Sequence, residues 1–333
     1  GTSVSYSLIE GGFAGTGNIS SNPFFVNVSD PDGVDNIWGS ADDGLKQMPI
    51  SKAIDNGTAT GAPATDITGN ARPQGSGIDM GVFEGFTCPA RLYVDGSKPV
   101  TGFGHGWGTD AMNSLSDALY CASFCNTTEV WVKAGTYKPE RDYLWNVNPL
   151  DVRRKTFSLP SGVSVYGGFA GTEILLSERN ISVNETILSG DRGIIGDSTD
   201  NNYHVVLANN VIAATRLDGF TITKGNADIA SFSGIIYNRN GGGLYNYNGQ
   251  NNLTVANCNF RENTGLSGGG IHNTFDAMGN CSPTISNCNF SKNKATGGLS
   301  FGGSGGAISN HGNFGTSNTI IDKCIFIDNN AYY

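Results

Sequence analysis

Between Gly241 and Tyr333 one pattern of residues recurs three times, and this periodicity limits the fold more than any other feature. Glycine-rich runs begin at Gly241, Gly268 and Gly305, continuing as Leu244-Tyr245-Asn246, Ile271-His272-Asn273 and Ile308-Ser309-Asn310. A strand-like stretch follows each, closing with Phe260 to Asn263, Phe290 to Asn293 and Phe326 to Asn329 in the form Phe-x-x-Asn. A repeat of about 30 residues with variable insertions marks a solenoid. Its segments are short and alternate apolar with polar residues, so the unit is built of strands and not of helix pairs. One pass then forms one coil of a parallel β-helix. Coils stack about 4.8 Å apart, each strand bonded to the same strand one coil away.

This stacking assigns the side chains. Val255, Cys258 and Phe260, like Ile285, Cys288 and Phe290, are expected to point inward. Phe260, Phe290 and Phe326 form a core column, each buried ring worth about 1.5–3 kcal/mol. Asn263, Asn293 and Asn329 form a second column at a corner, where Asn tolerates left-handed backbone and bonds its neighbours. The glycines allow sharp bends. The competing explanation is a β-sandwich with coincidental repetition.

Composition agrees with an all-β solenoid. Of 333 residues 48 are Gly and only 15% are charged, a turn-rich and helix-poor balance. The net charge of −9 argues against nucleic acid as a partner. No apolar run reaches the length of a membrane span. The chain opens Gly1-Thr2-Ser3-Val4 with no leader, as a mature product or a fragment would. Seven cysteines fit an oxidising, extracellular or cell-surface location. Cys258, Cys288 and Cys324 share one repeat position and read as core thiols, with stacked disulfides the alternative. Cys88, Cys121 and Cys125 are the disulfide candidates, Cys88 pairing with one of the other two. Asn-x-Ser/Thr sequons are only slightly more frequent than chance produces in so Asn-rich a chain, so their number does not show glycosylation.

Taken in order, residues 1–87 read as closing coils of a β-helix with an acidic loop, and 88–333 as the capped opening and repeat coils of a second one. Val4-Ser5-Tyr6-Ser7-Leu8-Ile9 alternates like a strand before Gly11-Gly12. Asp30, Asp32, Asp35, Asp42 and Asp43 surround Gly33, an arrangement suited to Ca2+, which takes convergent oxygen ligands. No Glu stands at the twelfth position, so this is not an EF-hand. A solvated acidic turn is the alternative. Residues 85–90 form a short linker. Further on, Ser114 to Ala122 is the one convincing helix, with Leu115, Ala118, Leu119 and Ala122 on one face. A helix there would cover the open edge and core end of a first coil. Strands are expected at Arg91–Asp95, Glu129–Val132, Phe157–Leu159, Val163–Phe169, Thr186–Gly190, His204–Leu207 and Leu217–Ile222, with a turn at Ala134–Tyr137. Insertions 138–154 and 225–240 read as surface loops.

The Gly-Gly-Ala/Gly-Ile and Phe-x-x-Asn signatures resemble polymorphic outer-membrane-protein repeats, which implies a right-handed, pectate-lyase-like β-helix. The stretches Leu92-Tyr93-Val94-Asp95, Val130 to Tyr137 and Val165 to Glu173 resemble the opening of large bacterial surface proteins of that fold. Asn22 to Val26, Ala53-Ile54-Asp55, Asp66 to Pro73 and Ile78 to Glu84 resemble their closing, choice-of-anchor section. The resemblance covers most of the chain and implies no catalytic residues. The closing section here precedes the opening one, so joining Tyr333 to Gly1 would restore one conventional domain.

Such a permuted window is expected either as a fragment of a long tandem protein or as a subunit that polymerises head to tail. In the second case the coil near 320–333 accepts residues 1–28 of the next chain by β-strand complementation, with Val4, Tyr6, Leu8, Ile320, Ile325 and Phe326 at the joint. Closure within one chain is disfavoured, because the two ends lie several coils apart. The expected function is an extracellular filament or adhesin stalk whose partners are copies of itself and surface glycans. The alternative is a carbohydrate-binding or polysaccharide-degrading β-helix. Paired carboxylates about 5–10 Å apart would be needed for glycoside hydrolysis, and Glu262, Asp276, Asp322 and Asp328 are too sparse to supply them. His105, His204, His272 and His311 are scattered, and His272 and His311 read as surface residues. Trp107, Trp131, Trp145 and Tyr143 read as core or loop anchors.

Overall fold

A computed structural model describes residues 3–40, 43–48, 50–85, 89–99, 101–211, 214–229, 239–248, 253–275, 281–297, 304–312 and 318–332. The chain forms two compact units, Gly1–Pro89 and Ala90–Tyr333.

The larger unit is a parallel β-helix. Every pairing between its strands is parallel, and each strand pairs with its counterpart one coil away. One wall is a seven-stranded sheet: Arg91–Val94, Glu129–Lys133, Ser164–Phe169, Thr215–Asp218, Leu253–Ala256, Thr284–Ser286 and Ile320–Asp322. A second holds Gly135–Tyr137, Thr186–Ser189, Phe220–Thr223, Asn259–Arg261, Asn289–Ser291 and Ile325–Ile327. The third runs from Phe157–Ser158 through Val206–Asn209, Leu244–Tyr247 and Ile271–Phe275 to Ile308–Gly312. A narrow fourth sheet of two-residue strands ends at Asn330–Ala331. The turn expected at Ala134–Tyr137 contains a strand, because Gly135–Tyr137 finds Thr186–Leu188 alongside.

The register brings like onto like. Phe260 faces Phe290 and Phe290 faces Phe326, with ring centroids 5.0 Å apart in both pairs and planes within 7° of parallel. That spacing is the interstrand distance of a sheet, so the rings stack because the backbones do. Asn263, Asn293 and Asn329 form the second column. Each side-chain amide donates to a carbonyl of the preceding coil, on Ile222, Phe260 and Phe290, at 2.8–2.9 Å. Each side-chain oxygen accepts the backbone N–H of Gly225, Asn263 or Asn293. The left-handed backbone expected at these Asn lies one residue earlier, at Glu262, Lys292 and Asp328, with φ between 52° and 56°. The reason is polarity: a buried amide must be bonded, so the Asn turns inward and the charged neighbour occupies the exposed bend. The bends before the glycine runs do need glycine, with φ of 68°, 62° and 61° at Gly241, Gly268 and Gly305.

The helix Leu115–Ala122 starts at Ser114, whose hydroxyl accepts the Asp117 N–H. It packs on Arg91–Val94, Glu129–Lys133 and Phe157–Ser158, the first strands of the first and third walls, and buries Leu115, Ala118, Leu119 and Ala122. The first strands of these two walls are thereby covered.

Among its described residues the smaller unit holds isolated bridges and no longer strand: Leu8 with Ile19, Phe25 with Gln47 and Thr65 with Ala71. The alternating run from Val4 to Ile9 bends at Tyr6, whose φ is 48°. Among the described residues this run is accompanied by single bridges and not by a ladder. What orders the end of this unit is polar. Asp66 accepts the N–H groups of Thr68, Asn70 and Glu84 at 2.8–2.9 Å. Glu84 pairs with Arg72 at 3.2 Å, both side chains buried, and Arg72 also donates to Gly81 O at 2.9 Å. Asp79 accepts the Asp55 N–H at 2.8 Å. Burial, together with nearby Glu84 and Asp55, pushes the Asp79 carboxyl up to about 6.

The column sets a gradient of stability. Phe290→Ala removes a ring covered on both sides and is expected to cost about 3–5 kcal/mol in denaturant unfolding. Phe326→Ala removes a ring covered on one side, so its cost should be about half that. Equal losses at the two positions would show that the column does not carry the fold.

Candidate functional site: the exposed last coil

The helix closes one end of the larger unit, and the last described coil leaves the other open. Ile321 and Phe326 lie in register over Ile285 and Phe290. Ile285 and Phe290 have no exposed surface, whereas Ile321 and Phe326 are 46% and 47% exposed. The difference arises because nothing stacks beyond them among the described residues. Cys324 continues the Cys258–Cys288 column, its Sγ 3.6 Å from the Ile285 carbonyl. Asn329 uses its side chain as its predecessors do, but its backbone N–H has no acceptor among the described residues, whereas the equivalent N–H of Asn293 donates to Asn329 Oδ1 at 3.0 Å.

The outward positions also change character in this coil. Thr284, Asn289 and Ser291 are followed in register by Ile320, Ile325 and Ile327, all more than half exposed. Isolated exposed apolar residues are ordinary, but a contiguous group at an unpaired strand edge is a surface suited to pairing. Of the assembly residues expected from sequence, Ile320, Ile325 and Phe326 come together here. Val4, Tyr6 and Leu8 belong to the smaller unit, where Val4 O accepts Asn18 Nδ2 and Leu8 bridges Ile19.

Beside this edge, the outer face of the second wall forms an open groove of about 380 Å³. Glu185, Thr221, Asn259, Arg261, Asn289 and Ser291 supply its polar lining, and Ile325 and Ile327 its apolar end. Glu185 accepts from Thr221 at 2.7 Å and pairs with Arg261 at 3.6 Å. Asn289 donates to Asn259 at 2.9 Å.

The other residues singled out by sequence fall as follows. Among the described residues no three His, Cys, Asp or Glu side chains converge to hold a metal; Asp42 lies outside them. Asp30 and Asp32 are half-buried, Asp35 is exposed and Asp43 is buried. Cys258, Cys288 and Cys324 are free thiols. Cys125 is disulfide-bonded while Cys121 is a free buried thiol pushed up to about 12 by burial and by Asp117. Cys88 lies outside the described residues. Trp131 is buried and stacks on Phe169, and Trp107 donates to Glu173 O at 2.9 Å. No helix among the described residues is long and apolar enough to cross a membrane.

His272 is a correction. A surface position is expected from its glycine corner, and the structure buries it. It belongs to an aromatic stack running His204, Tyr245, His272, His311, with neighbouring centroids 5.0, 5.7 and 6.4 Å apart. The outward face of the third wall is covered at this place, where Tyr143 from the 138–154 insertion packs against Leu207, Tyr245 and Tyr247. Burial holds His204 down to about 4, against the bond between its Nδ1 and Gly241 O. Burial and the neighbouring imidazoles of His311 and His204 hold His272 down to about 3. The glycine-corner position of His272 gave no sign of this cover. Asn246, Asn273 and Asn310 recur at one repeat position. They form a second amide ladder at 3.0 and 2.8 Å, and that recurrence is its signal in the sequence.

No known protein family, curated protein or solved structure matches this chain.

The imidazole stack makes stability depend on pH. In the unfolded chain both histidines take up protons near 6.5, but in the folded chain only near 4 and 3. Their contribution is therefore complete above pH 6.5 and is lost as pH falls toward 4, by about 1.4 kcal/mol per pH unit for each histidine. His272→Phe keeps the ring and removes the proton site. Denaturant unfolding between pH 6.5 and 4.5 should then show a slope smaller by about that amount; an unchanged slope would place the acid sensitivity elsewhere.

Proposed function

We propose that this is a structural protein of the extracellular space or cell surface, a β-helical stalk or fibre whose molecules join head to tail. The last coil of one chain takes the 1–28 segment of the next. The observation that supports this reading is the replacement of outward Thr284, Asn289 and Ser291 by the exposed Ile320, Ile325 and Ile327 in the last described coil. Completing their cover would contribute about 1 kcal/mol or more for each side chain, besides the bonds of an unpaired strand edge. The Asn329 N–H calls for a side-chain oxygen like those that cap the previous coils.

The groove favours a second reading, a glycan-binding wall. Its polar residues suit hydroxyl groups, while Glu185 is the one carboxylate in its lining, short of the pair that glycoside hydrolysis needs.

Sedimentation and negative-stain imaging of the purified chain test the assembly. End-to-end particles should grow with concentration. Phe326→Asp should abolish them without changing the circular dichroism of the coils, because the ring is half-exposed in the single chain. Compact, monodisperse single subunits of the unaltered protein at all concentrations would contradict the proposal.

A further inference from the structure

The acidic loop of the smaller unit contains a carboxylate whose position its own hydrogen bonds do not explain. Asp43 is 1% exposed. Its Oδ2 accepts the N–H groups of Gly39 at 2.7 Å and Ser40 at 3.1 Å. Its Oδ1 is buried and has no partner. A buried carboxylate oxygen left unbonded costs several kcal/mol in general, and such atoms are retained where something else fills the place. The surroundings are rich in oxygen. The Asp35 carboxylate reaches the same turn, accepting the Ser40 hydroxyl at 3.3 Å and the Ile37 N–H at 2.8 Å. At Gly44, the next residue after Asp43, the carbonyl oxygens of Asn27 and Asp30 stand so close that a Cβ would strike both. Between residues 27 and 44 there is neither His nor Cys.

We propose that Asp43 Oδ1 is a ligand of a bound calcium ion, completed by oxygens of the adjoining turns and by water. A hard cation with six to eight oxygen ligands and loose geometry suits one fixed carboxylate among carbonyls, where a softer metal would call for thiolate or imidazole. Because no three carboxylates converge among the described residues, the affinity falls at the weak end of the calcium range, about 10⁻⁴–10⁻³ M.

Trp38 lies five residues before Asp43 and is half-exposed, so it can sensitise terbium bound in this loop. The full chain, freed of metal with a chelator, is titrated with Tb3+ while tryptophan is excited. Terbium emission should appear, be displaced by millimolar Ca2+, and need at least tenfold more Mg2+ for the same displacement. Trp38→Phe should remove most of the emission while Ca2+ still raises the melting midpoint. Asp43→Asn keeps an oxygen for the Gly39 and Ser40 N–H groups and should weaken Ca2+ at least tenfold. Emission that Ca2+ does not displace, emission undiminished in Trp38→Phe, or an Asp43→Asn chain that binds Ca2+ as before would each overturn the site. Should Asp43→Asn fail to fold, the unaltered chain and Trp38→Phe decide the matter, since calcium-displaceable emission lost with Trp38 places the ion in this loop.

Discussion

Each repeat coil is tied to the next by a buried side-chain amide. Asn263, Asn293 and Asn329 each link a donor and an acceptor on adjacent coils, and all the bonds run along the solenoid axis. Any one bond adds about 0.5–1.5 kcal/mol, but a buried amide left unpaired would cost more than that. The ladder therefore fixes register as well as adding stability. A coil displaced by one residue would leave an Asn unbonded in the interior and turn the Phe column outward. The second ladder, Asn246, Asn273 and Asn310, imposes the same condition on another wall.

A solenoid of this kind has two rims, and the sequence treats them differently. At one, the amphipathic helix Leu115–Ala122 replaces the missing coil. At the other, the outward Thr, Asn and Ser of the preceding coil give way to Ile320, Ile325 and Ile327. That change would serve no purpose on a solvated wall, but it suits one that another segment covers. The third wall shows another kind of cover, in which Tyr143 of an insertion packs on Leu207, Tyr245 and Tyr247 while His204 and His272 stack, buried, on either side of Tyr245.

Much of this architecture could be read from the residues because a solenoid repeats its constraints. Three copies of Phe-x-x-Asn and three glycine runs set period, register and inward faces, and one apolar stripe with a Ser at its start set the helix. The smaller unit was less legible. Val4 to Ile9 alternates as a strand does, but alternation only states which residues a partner would bury; it does not supply the partner. Asp66, Arg72, Asp79 and Glu84 were visible as part of a resemblance, yet their mutual bonding depends on turns that bring residues 5 to 18 positions apart together. His272 departs from its expectation for a similar reason: an outward strand position does not say what packs against it, here the rings of Tyr245 and His311 on the neighbouring coils.

We propose that the rim at Ile320–Ala331, open among the described residues, is covered by another copy. Hydrogen exchange of its backbone amides, followed as protein concentration rises, tests this most directly. The account predicts that Ile321, Phe326 and Asn329 exchange quickly in dilute solution and approach the protection of Ile285, Phe290 and Asn293 as chains associate. Fast exchange at the rim that stays the same while particles grow would mean that the chains meet elsewhere.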